Sequence, residues 1–192
     1  MNAAARAKAV LTDPSATWRQ IEQETGDPAY ILTRYVAVLA LVPAVVGFVG
    51  ASIVGVAVPG AATMRATLFD GLFGAILGYV MTCATVLLLA AIIDLAAPLF
   101  GGRRSFNAAF RLAAYSFTPV WLAGIFLLLP GLRFLLLTGS YGAYILWFGL
   151  PRLTKTPERK SNVFAILIVL CACLLIYITA VAQRAVFGTP GL

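Results

Sequence analysis

A chain of 192 residues that is 61% hydrophobic and 11% charged has too little polar surface for a water-soluble domain, which carries about 25% charged residues. Lipid is therefore its main solvent, and because a membrane helix needs roughly 20 apolar residues, about five spans nearly exhaust the length. Histidine is absent, which removes the commonest metal ligand and the usual general base. The net charge of +7 does not mark a nucleic-acid binder, because the basic residues cluster in loops beside apolar spans, where they act as topology determinants.

Residues 1–34 form a polar segment, predicted to be cytoplasmic. A signal peptide is not predicted, since no apolar core follows the basic start directly. Asp13-Pro14 is a helix start, with an acidic cap and a proline in the first turn. Trp18 and Ile21 then share one face, while Arg19, Gln20, Glu22 and Glu24 point elsewhere. This short amphipathic helix either lies on the membrane with Trp18 and Ile21 as an interfacial anchor, packs under the bundle, or binds a partner. Gly26-Asp27-Pro28 ends it.

The first span is predicted over residues 35–58, with Tyr30, Arg34 and Tyr35 anchoring its start and Pro43 inside it. Gly47, Gly50 and Gly55 leave room for another helix. The second runs over 72–100, with a Gly74/Gly78 pair, and a basic turn, Gly101-Gly102-Arg103-Arg104, closes it. The third covers 107–129. Pro130-Gly131 turns it into the fourth, 132–150, where Gly139, Gly142 and Ala143 allow close packing. The fifth is 163–182, and residues 186–192 form an external tail. The fold class is thus an all-α polytopic membrane protein, with five transmembrane helices and a short N-terminal interfacial helix.

Eleven of the 14 basic residues fall on one side of these spans; only Arg65, Arg133 and Arg184 fall on the other. The positive-inside rule then places the N-terminus in the cytoplasm and the C-terminus outside.

Chemistry is sparse. Asp94 is the one acid deep in an apolar run, and it needs a partner because a carboxylate facing lipid is costly. Arg111, on the neighbouring antiparallel span, is the expected partner, with Arg103 and Arg104 as alternatives. The simpler reading is an ion pair pinning two spans; the other is a proton or cation site. Pro119 removes a helical donor and frees the carbonyl of Tyr115, which Ser116 or Thr118 can satisfy. No catalytic set, cofactor or metal site is predicted. Cys83, Cys171 and Cys173 read as small apolar residues.

Residues 114–133, Ala-Tyr-Ser-Phe-Thr-Pro-Val-Trp-Leu-Ala-Gly-Ile-Phe-Leu-Leu-Leu-Pro-Gly-Leu-Arg, together with Asp13-Pro14, Trp18, Tyr141-Gly142-Ala143-Tyr144 and Gly149-Leu150, resemble the bacterial branch of the YIP family. These membrane proteins are named for interaction with Rab GTPases. The resemblance implies five spans, a cytoplasmic N-terminus, a bacterial inner-membrane location and assembly into homo- or hetero-oligomers. No prenylated Rab partner is expected here. The resulting expectation is a non-enzymatic scaffold or adaptor whose basic face meets protein partners or anionic lipids. The alternative is a small ion or proton channel or transporter, with a polar path through Asp94, Tyr115, Ser116, Thr118 and the Pro119 kink.

Overall fold

The computed structural model describes residues 2–24, 26–55, 65–128 and 130–187. Among them, five helices are long and apolar enough to cross a membrane: Pro28–Val54, Leu68–Phe100, Phe106–Leu128, Phe134–Thr154 and Glu158–Ala185. Two short helices precede them, α1 (Ala3–Thr12) and α2 (Pro14–Gln23).

Local capping explains these boundaries. The Asn2 side chain accepts the Ala4 N–H at 3.1 Å and starts α1, an alanine-rich run of strong helix formers. Asp13 accepts the N–H of Ala16 at 2.9 Å, with Pro14 following, and starts α2. That backbone N–H, followed by the Ser15 hydroxyl, holds the Asp13 carboxyl below its ordinary value. The cap therefore helps above the usual carboxylate range and is lost as pH falls through the lowered value.

Asp27-Pro28 repeats the device: the Asp27 carboxylate accepts the Ala29 N–H at 3.1 Å. The expected break is also a start, so the first span begins at Pro28 rather than near Tyr35, and Tyr35 is buried instead of anchoring at an interface. Its expected last residues, 56–58, lie outside the described residues, as do 188–192 of the expected tail.

Thr67 caps the second span, whose last turn tightens at Ala97–Phe100 before Gly101, at φ +78°, reverses the chain. The fourth span runs past Pro151 to Thr154, where Lys155 adopts φ 55° and ends it. The third span is not one kinked helix. Its α-helix stops at Ser116, and a new one starts at Thr118 with Pro119 in its first turn, the position where a missing N–H costs least.

The third span is central: 67% of its most apolar stretch is buried, against 28% or less for each of the others. The outward face of the fifth span carries Val163, Ile166, Leu170, Leu174, Tyr177 and Val181, all exposed. At 1.5 Å per residue that stripe is about 27 Å long, close to the ~30 Å hydrocarbon core of a bilayer. Water could not tolerate such a face; lipid is its natural solvent.

Close packing between the third and fourth spans depends on two glycines. A Cβ on Gly142 would collide with the backbone carbonyl oxygen of Ser116, and one on Gly149 would come within 2.5 Å of the Trp18 ring and 2.7 Å of Leu112. A Cβ on Gly47 would meet nothing within 4 Å. Gly142→Ala is therefore expected to destabilise the purified protein by about 1–3 kcal/mol, the usual cost of overpacking. Gly47→Ala should leave its melting temperature unchanged or slightly raised. Thermal melts in one detergent check both.

Candidate functional site

The polar groups of this molecule converge where the α1–α2 hairpin docks against the third and fourth spans. Of the placements open to this helix, the structure has it packed against the bundle, with Trp18 and Ile21, the candidate interfacial anchor, 1% and 0% exposed. The amphipathic face of α2 is turned into the bundle. The Trp18 indole N–H donates to the carbonyl of Ile145 at 2.9 Å, giving the polar edge of the ring a partner that a buried tryptophan needs. The ring fits over Gly149 and meets Tyr115 edge-on, with centroids 6.1 Å apart. At the tip of the hairpin, the Tyr141 hydroxyl donates to the Leu11 carbonyl at 3.2 Å. At its other end, Lys155 pairs with Glu22.

Arg111 does not pair with Asp94. Its guanidinium donates to the backbone carbonyls of Ile21, at 2.7 Å, and of Glu24. The last four carbonyls of a helix lack intrahelical donors, and the negative end of the helix dipole favours a cation there. The C-terminus of α2 is thus a better neighbour for this arginine than a carboxylate on the second span. Arg6, 7% exposed, closes the arrangement. It pairs with the Glu24 carboxylate and lies 5.8 Å over the Tyr115 ring, within cation–π range. Two buried cations are thus matched by one carboxylate, one helix end and one ring face.

Asp94 instead takes Arg104, with Nε to Oδ2 at 3.0 Å. The carboxylate is 10% exposed and the arginine 63%. Arg104 follows directly on the Gly101 reversal, so its side chain folds back over the last turns of the second span, while Arg111 is carried to the opposite flank of the third. Arg103 is exposed, and its backbone N–H donates to the Thr154 carbonyl at 2.7 Å, tying the two loops at this end together.

At the Pro119 break, the Thr118 hydroxyl donates to the Tyr115 carbonyl at 2.7 Å. Its proton being used there, the 2.6 Å contact between Thr118 and Tyr35 has the Tyr35 hydroxyl as donor. A single ordered chain, Tyr35 to Thr118 to Tyr115, satisfies the freed carbonyl. Ser116, the other expected helper, is buried with its Oγ unpartnered among the described residues. No group of three or more potential metal ligands occurs among the described residues.

The grouping of Arg6 with Glu24 and the Tyr115 ring was not expected. An arginine in an alanine-rich helix carries no sign of which ring or acid it will meet, so the sequence offered no signal beyond the capping asparagine that announces α1.

These features define a multi-pass helical membrane protein, and the chain belongs to the Yip1 family: the Yip1 domain matches residues 8–181. That match takes in most of the docked hairpin as well as the spans. The chain is 25% identical over 160 residues to "Inner membrane protein YohC" of Escherichia coli strain K12, covering 81% of this chain and 82% of that protein. The protein of the same name from Escherichia coli O6:H1 strain CFT073 matches to the same extent. No solved structure matches the chain.

Magnitudes rank these interactions. Hydrogen bonds to a charged group contribute about 1.5–3 kcal/mol, whereas an ion pair with an exposed partner contributes about 0–1. Arg111→Met is therefore expected to free the hairpin, read as faster tryptic cleavage at Lys8 and Arg19. Arg104→Met should leave that cleavage close to the natural rate.

Proposed function

We propose that this Yip1-domain protein is a non-catalytic scaffold or adaptor of the bacterial inner membrane. Its N-terminus and basic loops face the cytoplasm and its C-terminus lies outside. The docked hairpin presents Lys8, Asp13, Arg19 and Gln20 outward, all exposed. At the Glu22 end of the hairpin lies the basic loop at Lys155, to which the loop at Arg103 is tied through Thr154. This face meets a protein partner or anionic headgroups, which attract basic residues at a membrane surface. Gly50, open on the first span, suits close approach by another chain in an oligomer.

The observation that carries this reading is where the polar side chains spend their hydrogen bonds. Asp94 is engaged by Arg104, and Tyr35, Thr118 and Tyr115 satisfy one another. Groups committed to each other do not line a path for ions. The location follows the E. coli relative, whose printed name is an inner membrane protein, and the orientation follows the distribution of Lys and Arg.

A channel or transporter is the second reading. Two atoms favour it: Asp94 Oδ1 and Ser116 Oγ are buried without a partner among the described residues. Ion and proton flux into proteoliposomes separates the two. The scaffold reading expects no flux above empty liposomes, for the natural protein and for Asp94→Asn alike. A flux that the natural protein supports and Asp94→Asn abolishes would replace it with the second.

A further inference from the structure

The fourth and fifth spans leave an apolar groove of about 410 Å³ between them, lined by Tyr144, Trp147, Phe148, Ile166 and Leu170. All five are exposed, so the groove opens to the lipid side. Its upper end, toward the loop that joins the two spans, changes character. Asn162 lies four residues and Arg159 seven residues before Ile166, on the same face of the fifth span. Arg159 is then about 10 Å along the axis from Ile166. Arg152 follows Phe148 by four residues on the fourth span. Arg159 and Asn162 are exposed and Arg152 is half-buried. Among the described residues, neither arginine forms an ion pair.

We propose that this groove binds a phospholipid with an anionic headgroup. One acyl chain lies along Trp147, Phe148, Ile166 and Leu170, and the phosphate meets Arg159, with Asn162 and Arg152 beside it. Charge selects this occupant over a second copy of the chain. At this end of the bundle Glu22, Glu24 and Asp94 are paired within the chain and Asp27 caps the first span, which leaves the single acid Glu158 against Arg152, Arg159 and Lys160. A second copy would bring a basic loop against a basic loop. A lipid phosphate supplies the missing negative charge, and its acyl chain fits an apolar slot that reaches toward the bilayer interior. The site deepens the reading of the basic loops given above and rests on it for the leaflet involved.

Trp147 is a built-in reporter. It is 38% exposed in the groove, whereas Trp18 and Trp121 are 1% and 2% exposed. The test places the full chain in lipid nanodiscs containing phosphatidylglycerol or phosphatidylcholine with brominated acyl chains, and reads tryptophan quenching. Brominated phosphatidylglycerol is expected to reach half-quenching at about a five-fold lower mole fraction, the worth of one basic residue beside an anionic headgroup. Arg159→Gln combined with Arg152→Gln should remove that preference while general quenching persists. Trp147→Phe should remove the lipid-dependent part of the signal. Equal quenching by the two lipids, or a preference that survives the double substitution, would overturn the proposal. Absence of quenching at Trp147 by either lipid would also overturn it and show the groove covered by protein. Both faces of a nanodisc carry the same lipid, so the result does not depend on orientation. A positive result would stand even if flux defeated the scaffold reading, and a negative one would leave that reading intact.

Discussion

A guanidinium on the third span grips two carbonyl oxygens at the end of α2, and the rest of the N-terminal architecture depends on that grip. Arg111 sits in a helix that is otherwise apolar and small, surrounded by Ala109, Phe110, Leu112 and Ala113, all buried. A charge in such a place must find a partner inside the protein. The end of a short helix offers one without burying a second full charge: carbonyls with spare acceptor capacity and the negative pole of a dipole. Once α2 is held there, Trp18 falls over Gly149, its indole reaches Ile145, and Arg6 is delivered to Glu24 and Tyr115. The N-terminal segment is thus part of the bundle's core and not an appendage to it.

The same economy governs the interior. Several buried polar side chains sit where the backbone is broken or a helix ends and are matched to a nearby need, while Ser116 Oγ and Trp121 Nε1 are buried without a partner among the described residues. Thr118 repairs the carbonyl that Pro119 releases, and Tyr35 in turn donates to Thr118. Thr154 and Thr156 share a hydroxyl contact at 2.6 Å beside the tight Gly102 turn. In lipid an unmatched backbone group costs several kcal/mol, so the Thr118 repair is a condition for the third span to exist in broken form. Asp94, by contrast, reaches an arginine that is mostly in solvent, and the pair contributes little to stability.

Much of this was legible in the sequence, and the boundary of legibility has a physical cause. Long apolar runs have only one solution in a bilayer, so five spans follow from composition and spacing. The start at Asp13-Pro14 is a local signal and falls where the cap forms. The first span starts earlier than its apolar run because Asp27-Pro28 both breaks and begins a helix. The fate of Trp18 and Ile21 was not legible. An apolar face on a short helix has the same appearance whether it meets lipid, a bundle or a partner, and only the small residue at Gly149 on the fourth span decides between them. The partner of Arg111 was misread for a related reason: helix-end carbonyls are absent from a list of side chains, so proximity arguments favour the nearest carboxylate.

The account stands or falls on the docking of α1 and α2. Hydrogen–deuterium exchange on the purified full chain reads it directly, amide by amide. Docked helices should exchange far more slowly than a free peptide of residues 1–24, with the Thr17–Gln23 amides approaching those of the spans. Exchange throughout residues 3–23 at the rate of the free peptide would show a hairpin that is undocked in solution, and would remove Arg111 from the centre of the structure.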